Sequence, residues 1–310
     1  MKMKRMRVGA IALVPALVIP TLCVTAGPAR SDKPFDVRGG VLYLTLAPEL
    51  KYDPYEIYCG KSATPLPSEA ILQGTVGAGP QVAFLVASWP DSARPEMGAV
   101  SFGIRYPRGI EIIRWGVCHR TLSAPTNSWP LSGEGMAIAM AGGETDTSRT
   151  VELAWMIVVA HSPGQIELVP HPNPIFGAHF ATTTDPKEAP IVGLGKLGFG
   201  QPGYAPPPSF PGPDLGAVCV RDTICVRISE QEAAYYGKGT TWLGKDIYCT
   251  SNMCRRDAPI GACCMPDATC TTIRRKECTI AGGMFQGDAT TCTPNPCVGK
   301  GNGQKRGKAR

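Results

Sequence analysis

The placement of thirteen cysteines constrains this chain more than any other feature. Cys23 sits in an apolar leader, and only Cys59 and Cys118 fall within residues 30–214. The other ten crowd into residues 219–297. Twelve cysteines beyond the leader is an even number, as in a fully paired protein of an oxidising compartment. The crowded ten fall in a repeating register. Gly216-Ala217-Val218-Cys219 opens one copy and Gly261-Ala262-Cys263-Cys264 the next. Each continues Cys-x5-Cys, through Cys225 or Cys270, and ends Cys-x4-Cys, at Cys249 and Cys254 or at Cys292 and Cys297. Gly239-x2-Trp242-x-Gly244-x-Asp246 echoes Gly283-Met-Phe285-x-Gly287-Asp288. Matching cysteine, glycine and aromatic landmarks mark a tandem duplication.

Cys263 and Cys278 have no cysteine counterparts in the first copy, where Val218 and Ala233 occupy the aligned positions. An unpaired thiol is a liability under oxidation, so the two are expected to bond each other. Closing that loop stabilises by about 3 kcal/mol in the chain-entropy model. The four shared cysteines allow three pairings per copy, and spacing does not choose among them. Adjacent Cys263 and Cys264 are expected on opposite faces of a strand. Zinc binding by the cluster is the competing reading, and export disfavours it because free thiols oxidise there. Each copy is too short to bury a self-sufficient core, which makes the bridges structural. The second copy reads as a hairpin turning at Pro266-Asp267-Ala268, a short helix around Ile273–Ala281 and a strand near Met284–Gln286. In the first copy Ser229–Tyr236 reads as a helix, with Ser229 as its cap and Gly237 as its stop. The pattern of residues 261–297, with the degenerate copy before it from residue 216, resembles a short six-cysteine repeat found near the C-termini of secreted bacterial proteins. That resemblance implies export and disulfides, and adds no activity.

Residues 30–200 read as short strands separated by Pro and Gly: 41–47, 82–89, 100–106, 110–115, 136–140, 151–160, 165–169, 179–183 and 191–197. Ser68–Leu72 is the one helical candidate. The expected fold is mainly β: an antiparallel β-sandwich followed by two small disulfide-rich repeats with short helices. Cys59 and Cys118 are expected to bridge within the sandwich. This part loosely resembles the immunoglobulin-like and cohesin-like sandwiches of bacterial secreted proteins, with no motif that transfers a site. Residues 201–214, rich in Pro and Gly, read as a semi-rigid linker to the repeats at 215–254 and 260–297.

Lys2, Lys4, Arg5 and Arg7 precede an apolar run and small residues, the order of a signal peptide over residues 1–29. Residues 298–310 form a basic, glycine-rich tail expected to be disordered. The formal charge of +6 resides in these two ends. The body between them holds 22 bases against 25 acids, which excludes a basic nucleic-acid surface. The expected location is secreted: extracellular, at the cell surface or periplasmic.

No catalytic motif stands out. Gly193-x-Gly195-x-x-Gly198 matches a dinucleotide fingerprint in letters only, because Phe-Gly-Gln-Pro-Gly follows and no helix can open there. The weak metal candidates are His171 and His179 with Asp185 or Glu188, at spacings unlike those of tight zinc pairs. Trp129, in Pro125-Thr-Asn-Ser-Trp-Pro130, is the candidate for an exposed sugar-stacking residue, whereas Trp89, Trp115 and Trp155 fall in strands and read as core. No cofactor is implied. The reading is a non-catalytic secreted or cell-surface protein for adhesion, binding or surface structure, its partner an extracellular polysaccharide or a protein. The alternatives are a secreted hydrolase with a dispersed site in the sandwich, or an inhibitor-like cysteine-rich module.

Overall fold

A computed structural model describes residues 37–63, 65–118, 121–141, 145–183, 188–210, 212–250, 253–255 and 260–297. The leader and the basic tail lie outside the described residues. Among the described residues, thirteen strands precede residue 200: β1 (Val41–Leu46), β2 (Gln73–Gly74), β3 (Gln81–Ser88), β4 (Ala99–Arg105), β5 (Ile110–Val117), β6 (Thr121–Pro125), β7 (Gly135–Met140), β8 (Thr150–Ala160), β9 (Gly164–Val169), β10 (His179–Ala181), β11 (Glu188–Pro190), β12 (Gly193–Leu194) and β13 (Lys196–Phe199). One sheet runs β12-β1-β3-β8-β5, and the other runs β11-β10-β4-β9-β13-β2 with β7 beside β4 and β6 beside β7. Pairing is antiparallel except for β1–β12 and β13–β2.

Alternation sets the core between the sheets. Val100, Phe102 and Ile104 of β4, and Met136, Ile138 and Met140 of β7, turn inward onto Leu42, Leu44, Leu85 and Met156. Trp89 is fully buried and donates its indole N–H to the Val37 carbonyl at 3.0 Å. Each such aliphatic or aromatic side chain contributes about 1.5–3 kcal/mol by leaving water.

The β12-β1-β3-β8-β5 sheet is also buried on its outer face. Val41, Tyr43, Val82, Phe84, Val86, Trp155 and Ile157 pack there with Tyr58. The cover is the segment 48–72, which has no helix among its described residues. Its Ser68–Leu72 stretch turns instead, because the Ile71 N–H is taken by Thr45 Oγ1 (3.0 Å) and the Ile71 carbonyl by the Leu46 N–H (2.8 Å). Tyr43 donates its hydroxyl to the Pro65 carbonyl. Glu152 of β8 is 6% exposed and accepts the N–H groups of Gly60 (2.8 Å) and Ser62 (3.1 Å). A disulfide joins Cys59 to Cys118 beside it. The segment is therefore a flap fastened at several points.

The segment 201–214 was expected as a spacer, and its residues 201–210 lie along the sandwich. Tyr204 exchanges two backbone hydrogen bonds with Lys196 (2.7 and 2.8 Å), and the Ser209 N–H reaches the Gly39 carbonyl (3.2 Å). The repeats follow. The first holds β14 (Leu215–Val220), β15 (Ile224–Ser229), α1 (Glu230–Tyr235) and β16 (Thr240–Lys245). The second holds β17 (Ile260–Cys264), β18 (Cys270–Arg274), α2 (Arg275–Ile280) and β19 (Met284–Phe285). Ser229 caps α1 by accepting the Glu232 N–H at 3.1 Å. Both repeats bond first to fourth and second to third shared cysteine: Cys219–Cys254 with Cys225–Cys249, and Cys264–Cys297 with Cys270–Cys292. Cys263 bonds Cys278. A Cβ on Gly216 would lie 2.0 Å from the Gly244 carbonyl oxygen, and one on Gly261 1.9 Å from that of Gly287. Glycine is thus required at the same point of both copies.

Candidate binding groove

The outer face of the second sheet carries two rows of small side chains across five adjacent strands. Strand register places Leu122, Ala139, Ala99, Ala181 and Glu188 in one row. Ala124, Ala137, Ser101, His179 and Pro190 form the other. Five strands span about 19 Å at ordinary spacing. The intervening residues Ile138, Val100, Phe180 and Ala189 face the core, so the rows are the outward half of the same alternation. They floor a groove of about 320 Å³. Its walls are Leu122, which is 70% exposed, and Ile175 and Phe176, 64% and 43% exposed. Residues Leu122–Pro125 of β6 are exposed, uncharged and at the edge of their sheet among the described residues.

A buried polar corner holds the Ile175–Phe176 wall in place. Ser101 Oγ donates to the Phe176 carbonyl at 2.6 Å. His179 Nδ1 lies 3.2 Å from that same oxygen, which favours the tautomer with a proton on Nδ1. His171 is 2% exposed; its Nδ1 accepts the Asn173 N–H at 3.0 Å, and its ring meets Phe176 edge-on at 4.9 Å. Burial holds the His171 pKa below its ordinary value, so the ring is neutral at neutral pH. From the first cysteine repeat, Glu232 accepts the Ala178 N–H at 2.9 Å, and Tyr236 donates to the His171 carbonyl at 3.1 Å. Burial pushes the Glu232 pKa up, opposed in part by the hydrogen bond from the Ala178 N–H. The repeat thus buttresses the wall from behind.

His171 and His179 therefore converge on one loop, and the structure gives each of them a supporting hydrogen bond there. Asp185 lies outside the described residues. Glu188 is exposed at the far end of the groove. Among the described residues, the one trio of His, Cys, Asp or Glu whose ligand atoms converge is Cys59, Cys118 and Glu152, and its two sulfurs are bonded to each other.

Trp129, expected at an exposed turn, is half-buried. It stands edge-on to Phe102 (5.7 Å) and Trp115 (6.1 Å), because the turn after β6 folds back over the opening between the sheets. Its indole N–H is buried without a hydrogen-bond partner. The groove itself escaped sequence reasoning: alternating small residues, Ala137 and Ala139 in β7 and Ala99 and Ser101 in β4, were its only signal, and they carry no chemistry to flag.

The chain matches no family model and, in sequence, none of the curated proteins. Among solved structures it is similar to a cohesin module from a Clostridium perfringens family 33 glycoside hydrolase, at 8% identity and a TM-score of 0.35, over 52% of this chain and 96% of the module. A type I ScaB cohesin from Pseudobacteroides cellulosolvens aligns at 12% identity and a TM-score of 0.31, over 41% of this chain and 86% of that one. A non-cellulosomal cohesin from Archaeoglobus fulgidus aligns at 9% identity and a TM-score of 0.26, over 41% and 84%.

Proposed function

We propose that the chain is an exported, non-catalytic binding protein that takes an apolar protein segment in the groove on its β-sandwich. Export rests on the basic, apolar and small-residue leader, and six disulfides among the described residues support an oxidising destination. The observation that carries the binding role is the two rows of small side chains, walled by exposed Leu122, Ile175 and Phe176. A small-residue floor leaves room for a ligand's side chains, and the uncharged edge of β6 offers unpaired backbone groups to an extended segment. The wall is held by buried hydrogen bonds, so the site is formed before a ligand arrives.

The test is selection of displayed peptides on the exported protein, with rebinding to an Ala139→Arg variant. Ala139 is half-exposed, so the arginine projects over the floor without disturbing the core. Apolar peptides that bind the native chain and lose at least about tenfold in affinity on the variant, roughly 1.4 kcal/mol, support the reading. Peptides indifferent to the substitution overturn it.

One juxtaposition favours a hydrolase instead. Ser101 and His179 are cross-strand partners, and Glu232 lies behind the histidine. Here, however, the serine proton goes to the Phe176 carbonyl, and His179 Nδ1 shares that oxygen. A nucleophile needs its proton aimed at the base. Turnover of an ester or peptide abolished by Ser101→Ala would establish the hydrolase.

A further inference from the structure

The two cysteine repeats dock in the same sense, each turning the start of its helix toward the unit before it. Ser229, Gln231 and Glu232 of the first repeat line a cleft against Ala178 and Ile191 of the sandwich. Arg274, Lys276 and Glu277, at the aligned positions 45 residues on, line a cleft against Asp222 and Cys254 of the first repeat. Lys276 pairs with Asp222 across that junction, both side chains only about one-fifth exposed. Helix α2 also lies against β16. Stacking of this kind is heterologous: the surface that gives differs from the surface that receives, so it does not close on itself.

The receiving surface of the first repeat has a counterpart on the second. Asp222 aligns with Asp267, Thr241 with Met284 and Cys254 with Cys297. Where the second repeat covers the first, Cys254 is 2% exposed. On the second repeat Cys297 is half-exposed, Met284 is 60% exposed, and Asp267 stands in solvent. Asp267 remains a carboxylate, since hydrogen bonds from the Thr269 side chain and N–H hold its pKa below the ordinary value. The two turns differ in backbone: Arg221 and Asp222 are left-handed in the first, Ala268 in the second.

We infer that this face of the second repeat, from Asp267 to Met284 and Cys297, is a docking socket for a further cysteine repeat that presents a lysine where Lys276 stands. The occupant follows from the junction already in the molecule: the aligned edge strand, a turn at the aligned place and, among the described residues, an acid with no cation against it. A terminal repeat that closed the stack would have a polar outer face instead of an exposed methionine.

The test adds a copy of residues 255–297 between Cys297 and Val298 of the full chain. Peroxide oxidation of Met284 is read by mass spectrometry. A docked third repeat slows Met284 oxidation about tenfold relative to the native chain, because sulfoxide formation follows exposure. Lys276→Glu in the added copy alone restores the native rate, and Asp267→Lys in the second repeat then slows it again. A parallel chain carries instead an added copy of residues 214–254 with Gln231→Lys. Unchanged Met284 oxidation in both chains overturns the socket. Failure of both added copies to form their bridges counts against it equally, because a module this small depends on the unit it rests on.

Discussion

Replacing the Cys263–Cys278 bridge with the first repeat's own solution, Cys263→Val with Cys278→Ala, isolates what that bond contributes. Both cysteines are fully buried and close a loop of 15 residues. Constraining such a loop stabilises by about 3 kcal/mol. The valine returns about 1 kcal/mol of apolar packing, as Val218 does at 0% exposure beside Ala233 in the first repeat. The net loss is about 2 kcal/mol, or roughly 30-fold in the opening equilibrium of the second repeat. Native-state hydrogen exchange at the amides of β17 and β18 reads that opening directly. Exchange accelerated less than about threefold would refute the loop-entropy account. The converse must accommodate one more residue. A Cβ on Gly283 would lie 2.5 Å from Cys263 Sγ, and register aligns Gly283 with Thr240. Val218→Cys with Ala233→Cys should therefore bond only when Thr240→Gly accompanies them, seen as a loss of two hydrogens in intact mass.

Three further outcomes are expected. Glu232→Gln should stabilise the chain at neutral pH: the folded pKa is raised, so the folded state binds the proton more tightly and the charged form is disfavoured above the ordinary carboxylate range. That advantage shrinks as pH falls through the raised value, in denaturation curves taken across mildly acidic pH. Gly261→Ala should cost more than about 2 kcal/mol by driving a methyl into the Gly287 carbonyl, measured as a lowered midpoint of urea unfolding. Trp89→Phe should cost about 2–4 kcal/mol by opening a cavity and orphaning the Val37 carbonyl, measured by equilibrium denaturation with ligand absent.

The alternation of small and large residues made most strands of the sandwich legible, and the crowding of cysteines made the disulfide-rich C-terminal region legible. Strand β6 was not, because Thr-Leu-Ser-Ala-Pro is short, holds a single β-branched residue and ends in proline, and its pairing with β7 is a tertiary choice. The outer cover of β1, β3 and β8 left a trace that alternation alone overlooks. Val41-Leu-Tyr-Leu44 and Val82-Ala-Phe-Leu-Val86 are continuous apolar runs, the mark of strands buried on both faces. The flap that does the covering lacks periodicity, so its position could not be read. Glu152 illustrates the same limit: a strand glutamate reads as solvated until Gly60 and Ser62 are seen pointing their N–H groups at it. His171 and His179 were singled out for metal chemistry, and their hydrogen bonds to a loop backbone depend on contacts that spacing does not encode.

The flap over the first sheet sets an order of events in making this protein. Its covalent tie spans 59 residues and closes after β5 has been synthesised. Before it closes, Tyr43, Phe84, Val86 and Trp155 form a sheet surface as greasy as an interior, with only non-covalent contacts to hold its cover. Chains oxidised promptly would pass through that stage briefly. Chains held in a reducing environment would linger in it, and self-association through the bare sheet would compete with completion of the fold. Preparation of the protein should therefore depend more on thiol oxidation in its N-terminal half, where one bond guards a large surface, than on the five bonds in the repeats.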